Sequence, residues 1–206
     1  MLLRIHPENP QQKKINQVVE CLKDSGVIIY PTDTIYGLGC DIFKQKAVEK
    51  IARIKEVNIK KHNFSFICSD LSHLSDFTKP IDRSTYKLMK KALPGAFTFV
   101  LNANNTIPNL FKNNRKTVGI RVPNHHIPRN IVEFLGNPIL TTSIHDDDSI
   151  VEYSTDPELI YEKYKNQVDI VIDGGYGNLV PSTIVDCSKG EIDIIRQGLG
   201  NLDGLL

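Results

Sequence analysis

Gly26-Val-Ile-Ile-Tyr-Pro-Thr-Asp-Thr-Ile-Tyr-Gly-Leu-Gly-Cys-Asp41 is the stretch on which the fold turns. Val27 to Tyr30 are β-branched or aromatic, a short apolar run of the kind a sheet buries on both faces. Pro31 has no N–H, so the ladder stops there, and Thr32, Asp33 and Thr34 set three short polar side chains at the strand tip. Gly37 and Gly39 flank Leu38 and let the backbone come close to either a ligand or another strand. The whole stretch reads as strand, turn and helix start. Ligands of open α/β sheets bind beyond the carboxyl ends of strands, which makes this tip the first candidate site, although Thr, Asp and Gly also fill ordinary turns.

Outward from it, Ile15, Val18, Val19 and Leu22 recur at helical spacing, with Gly26 placed to cap that helix. Lys46 to Lys55 is a second helical pattern that ends in Arg53 and Lys55, cations that suit the negative end of a helix dipole. Strands are predicted over Phe64–Cys68, Phe97–Leu101, Val118–Val122, Ile139–Ser143, Val168–Asp173, Ser182–Asp186 and Glu191–Arg196. Helices are predicted over Leu71–Phe77, Arg83–Ala92 and Ile131–Leu135, the last closed by Gly136, and from the Asp156-Pro157-Glu158 start. This alternation predicts an α/β fold, and 206 residues suit one domain spanning 1–206.

Lys and Arg number 25 against 24 Asp and Glu, a formal net charge of +1, so any basic site must be local. No apolar run approaches the roughly 20 residues that span a bilayer, and Met1 to Pro7 lacks a signal-peptide core; a cytoplasmic protein with no membrane partner is expected. Cys21, Cys40, Cys68 and Cys187 are scattered in apolar surroundings and read as small buried hydrophobes.

Hydroxyls recur at strand ends: Thr32 and Thr34, Thr141 to Ser143, then Ser182 and Thr183. Arg121 stands in mid-strand beside a glycine-bearing face and must be paired, either with an internal carboxylate or with an anionic substrate, because an unpaired buried charge costs several kcal/mol. Arg196 is a second strand arginine. Hydroxyls and guanidiniums gathered in one cleft bind carboxylate and phosphate oxygens. The Asp146 to Asp148 run reads as a solvated loop, with Mg²⁺ coordination the lesser alternative. His125 and His126 lack metal-ligand spacing and read as loop residues; no metal site is predicted.

Six segments, in order, carry a resemblance: Tyr30-Pro-Thr-Asp-Thr-Ile-Tyr-Gly-Leu-Gly39, Leu93-Pro-Gly-Ala-Phe-Thr-Phe-Val-Leu101, Val118-Gly-Ile-Arg-Val-Pro123, Thr141-Thr-Ser143, Pro181-Ser-Thr-Ile-Val-Asp186 and Ile195-Arg-Gln-Gly198. Together they resemble the signature of the YrdC-like threonylcarbamoyl-AMP synthases, from about Ile15 to Gly200. The run His62-Asn-Phe-Ser-Phe-Ile-Cys-Ser-Asp-Leu-Ser is most similar to the YciO branch. The resemblance implies a twisted mixed β-sheet with flanking helices around a large basic cavity. It also implies a reaction: L-threonine, bicarbonate and ATP give threonylcarbamoyl-AMP and pyrophosphate, for threonylcarbamoyladenosine modification of tRNA. On that reading Arg121 holds the threonine carboxylate, and Thr34 and Ser182 recognise its hydroxyl. Lys55, Arg196 and Mg²⁺ carried with ATP steady the phosphates, and Thr32, Thr141 and Ser143 complete the substrate-binding set. The alternative is a non-catalytic relative that binds double-stranded RNA or tRNA through Lys44, Lys46, Lys50, Arg53, Lys55, Lys60 and Lys61. Three positions depart from the synthase pattern. Val57 replaces the arginine of Lys-x-Arg, His145 replaces the asparagine of Ser-x-Asn, and Cys68 stands where many synthases have a histidine.

Overall fold

The computed structural model describes residues 1–59, 62, 64–107, 116–144 and 155–205. The apolar run at the head of the deciding stretch becomes β2 (Ile28–Tyr30), preceded by β1 (Leu2–Arg4) and helix α1 (Gln12–Lys23). The turn after β2 leads into a strand and not into the expected helix. Gly37–Asp41 forms β3, antiparallel to β2, with Tyr30 opposite Gly37 and Ile28 opposite Gly39. A Cβ on Gly39 would stand 2.7 Å from both Ile139 Cγ2 and Leu140 O and 2.9 Å from the Tyr30 ring, so the glycine serves the close approach of strands. That packing overrides the low strand propensity of glycine.

The chain continues through α2 (Gln45–Ile54), β4 (Ser65–Ile67), α3 (Arg83–Ala92), β5 (Phe97–Asn102), β6 (Thr117–Arg121), α4 (His126–Leu135), β7 (Ile139–Ser143), α5 (Pro157–Tyr164), β8 (Ile170–Asp173), β9 (Thr183–Asp186) and β10 (Asp193–Arg196). Over Leu71–Phe77 only a 3₁₀ turn forms, at Leu74–Asp76. His125 and His126 are not loop residues: α4 opens at His126, and His125 Nδ1 accepts from the Ile127 N–H at 3.3 Å as its cap. The end of α1 also differs from expectation. Ser25, not Gly26, takes the left-handed conformation (φ 66°), while Gly26 N–H closes on Cys21 O at 2.8 Å. Cys40, Cys68 and Cys187 are buried, whereas Cys21 is only half-buried.

All ten strands form one mixed sheet in the order β1-β8-β2-β3-β7-β4-β6-β5-β9-β10. Side chains alternate across it and split the interior in two. One face carries Val27, Ile29, Leu38, Phe66, Phe99, Ile120 and Val185 in the larger core, which reaches α2, α3 and α5. The opposite face carries Ile28, Tyr30, Ile67, Ile139, Ile170 and Ile172 beneath α1 and α4. Those two helices cover the β1 end of this second face. Farther along, small and polar side chains take over from isoleucines.

Candidate functional site

Register alone lines up the site. Gly39 pairs with Thr141, Thr141 with Ser65, Ser65 with Gly119, Gly119 with Val100, and Val100 with Asp186, one row across six strands on one face. A Cβ on Gly119 would collide with Ser65 Oγ, so the row needs a glycine there. Two residues along from Gly119 on β6 is Arg121, on the same face. Tyr30 marks the border with the covered core: its hydroxyl donates to Thr141 Oγ1 at 2.6 Å.

Arg121 is buried and held by the tip after β2. Its NH2 lies 2.6 Å from Asp33 Oδ1, 2.6 Å from Thr34 Oγ1 and 3.0 Å from Thr32 Oγ1. One terminal guanidinium nitrogen has two protons, which the two shorter contacts take. Thr34's hydroxyl then has Thr32 Oγ1 to donate to at 3.2 Å, and Thr32's hydroxyl donates to Ile35 O at 2.7 Å. Thr32 and Thr34 therefore brace the arginine from behind. The Nε of Arg121 is buried and has no hydrogen-bond partner among the described residues. An unmet buried donor costs about 1–3 kcal/mol, so this nitrogen carries a standing cost in the unliganded fold.

From the other side, Ser182 Oγ lies 2.9 Å from Thr98 Oγ1, and Ser182 O accepts from Arg196 NH2 at 2.8 Å and Nε at 3.3 Å. Burial, reinforced by the charge on Arg121, pulls the Arg196 pKa below its ordinary value.

Arg121, Arg196, Thr141, Ser143 and Ser182 line one cavity of about 200 Å³, joined by His62, Ser65, Thr98 and Thr142. No carboxylate is among its described lining residues, and Asp33 behind the wall balances the charge of Arg121, which leaves Arg196 as the cation of the lining without a paired carboxylate among the described ion pairs. A neighbouring groove of about 660 Å³ shares Ser65, Thr98 and Ile184 with it. Among the described residues, no cluster of three or more His, Cys, Asp or Glu is placed to hold a metal.

Lys55 caps the end of α2 and is not in the lining, but its charge is felt at His62. Val57 packs against the larger core and supplies no cation. The Cys68 thiol lies in that core, where burial pushes its pKa up to about 12. Among the lysines of an RNA surface, Lys50 is paired with Asp169 at 2.8 Å. His145, Asp146 to Asp148, Lys60 and Lys61 lie outside the described residues. Thr98 and His62 belong to the site although no local pattern singles them out for it. Asp33, one of the three polar residues expected at the tip after the first strand, belongs to it as the partner of Arg121.

No helix among the described residues is long and apolar enough to cross a membrane. The family model Sua5/YciO/YrdC, described as "Telomere recombination", matches residues 20–198. The chain is 41% identical over 203 residues to the protein of Escherichia coli K12 named "Uncharacterized protein YciO", covering 98% of this chain and 97% of that one. It is 31% identical over 181 residues to a protein of Coxiella burnetii named threonylcarbamoyl-AMP synthase, covering 87% and 96%. The crystal structure of E. coli YciO superposes with a TM-score of 0.92 at 39% identity, over 100% of this chain and 99% of the other. P. abyssi Sua5, crystallised with L-threonine, shares the fold with a TM-score of 0.86 at 24% identity, over 96% of this chain and 57% of Sua5.

Proposed function

The chain belongs to the Sua5/YciO/YrdC family, and from that premise we propose that it is a synthase that joins L-threonine, bicarbonate and ATP into threonylcarbamoyl-AMP and pyrophosphate, for modification of tRNA. The observation that carries the reading is the unmet Nε of Arg121 at a carboxylate-free cavity. A relative named for this activity and a Sua5 crystallised with L-threonine support it.

The carboxylate of threonine takes the Nε–H of Arg121 in a single charged hydrogen bond, since both protons of NH2 are held by Asp33 and Thr34. Thr98 and Ser182 then face the small polar side chain. At about 200 Å³ the cavity is smaller than the roughly 300–1,000 Å³ of drug-sized sites, so it suits an amino acid and the nucleotide extends beyond it. Mg²⁺ enters with ATP as part of the substrate, held by phosphates, since the described residues provide no cluster of their own. Attack of the carbamate oxygen on the α-phosphorus builds negative charge, which Arg196 and Lys55 offset. Most of the rate enhancement is positioning.

The test mixes purified protein with L-threonine, bicarbonate and Mg-ATP and measures pyrophosphate release. Release that requires threonine is expected. Its absence at high enzyme, together with tRNA affinity that falls steeply with salt, would replace this reading with that of an RNA-binding relative.

A further inference from the structure

We propose that His62 is the base that takes the proton from the ligand's amine before the carbon–nitrogen bond forms. The inference rests on the amino-acid site proposed above. His62 lines the cavity with both arginines; its Nε2 is 3.3 Å from Thr142 Oγ1, and its ring stands edge-on to Phe64 with centroids 4.6 Å apart. Those two contacts fix the ring. The other ionisable side chains of the described lining are Arg121, Arg196 and Tyr36, none of which accepts a proton at neutral pH.

An amino acid seated by its carboxylate on Arg121 brings an ammonium, which has no lone pair to attack with. Its N–H bond breaks, the proton passes to the bare imidazole nitrogen, and the imidazolium forms. The freed lone pair makes the N–C bond to bicarbonate, the C–OH bond breaks, and hydroxide leaves as water with the amine's second proton. The imidazolium then returns its proton to solvent. Amine and bicarbonate have become carbamate and water.

The surrounding charges act on both partners of the transfer. Lys55 at the end of α2, Arg121 on β6 and Arg196 on β10 all disfavour a further cation, which lowers the ammonium's own affinity for its proton. Burial, then the charge on Lys55, holds His62 below its usual pKa of 6.5, so the ring enters the cycle neutral.

The His62 ring signal in the proton NMR spectrum of the full chain, identified by its loss in His62→Gln, is titrated alone, with L-threonine and with the amine-free analogue 2,3-dihydroxybutanoate. L-threonine is expected to move its midpoint to lower pH, and the analogue is not. In turnover, His62→Gln is expected to lower kcat about 100-fold, abolish the acidic limb of the kcat profile, leave KM for threonine within about 3-fold, and be partly rescued by imidazole. A His62 titration indifferent to threonine overturns the inference, as does a variant that keeps wild-type kcat with the same acidic limb. Pyrophosphate release that survives His62→Gln removes the base and leaves the synthase. No release by the wild-type protein, with His62 still responding to threonine alone, removes the synthase and leaves the base.

Discussion

Asp33 and Arg121 form an ion pair at 2.6 Å whose side chains are 12% and 9% exposed. The second oxygen of Asp33 accepts the backbone N–H of Asn124 at 3.0 Å. One carboxylate thus ties the turn after β2 to the guanidinium at the end of β6 and to the backbone beyond it. The pair gives the strand arginine the internal carboxylate that its burial requires, on one nitrogen, while the Nε has no partner among the described residues.

Asp33→Ala removes a partner from a buried pair and leaves a desolvated cation, a change that typically costs about 3–5 kcal/mol. The urea midpoint is expected to drop by a matching amount with the slope unchanged. Loss of less than about 1 kcal/mol would mean that Arg121 repairs itself by turning toward solvent.

Arg121→Lys keeps the charge but loses the fork. A lysine ammonium that takes the place of NH2 can hold Asp33 and Thr34 but offers no donor at the position of the Nε–H. Losing one charged hydrogen bond, about 1.5–3 kcal/mol, predicts roughly 10- to 100-fold weaker L-threonine binding by calorimetry. Equal affinity in the two proteins would place the carboxylate elsewhere in the cavity.

Periodicity was enough for most elements, because α1, α2, α3, β5 and β6 each bury a residue set spaced for their own geometry. The strand made by Gly37-Leu-Gly-Cys-Asp41 was illegible for the opposite reason: its glycines have no propensity to read, and only the approach of Ile139 and the Tyr30 ring makes them necessary. The site was half legible. A mid-strand arginine and hydroxyls after apolar runs stand out locally, and Thr141, Ser143, Ser182, Arg121 and Arg196 do line one cavity. Pairings such as Tyr30 with Thr141, 111 residues apart, depend on register and leave no local trace. His62 looks like any polar loop residue until Phe64 and Thr142 close on it.

The end of α1 gives a prediction with two signs in adjacent residues. Ser25 sits at φ 66°, where an L side chain is strained by about 1–2 kcal/mol, so Ser25→Gly is expected to raise stability by roughly 0.5–1 kcal/mol after its greater unfolded-chain entropy is counted. Gly26→Ala is expected to do the reverse, since its Cβ would stand 2.6 Å from Cys21 O. Thermal melts of both variants check this. Two destabilised proteins would show that Ser25 does not carry the left-handed turn.

Asp169 provides the pH dependence. Its Oδ2 accepts from Lys50 Nζ and from the Val27 N–H, both at 2.8 Å, at the point where β2 begins. Burial alone would raise its pKa, but Lys50 and the Val27 N–H outweigh it and hold the group below its ordinary 3.8. A depressed carboxylate stabilises the fold above its unfolded pKa, and that stability is lost as pH falls through the folded value. Because the side chain is 45% exposed, the worth of the arrangement is about 1 kcal/mol at pH 7. Asp169→Asn is therefore expected to be less stable by that amount at neutral pH and equal to the wild type once the acid is protonated below 3.8. Added salt screens the Lys50 share and leaves the Val27 share, so the gap narrows without closing. Urea midpoints at pH 7 and in acid decide it: a gap of the same size at both would mean that the variant acts through packing, not through charge.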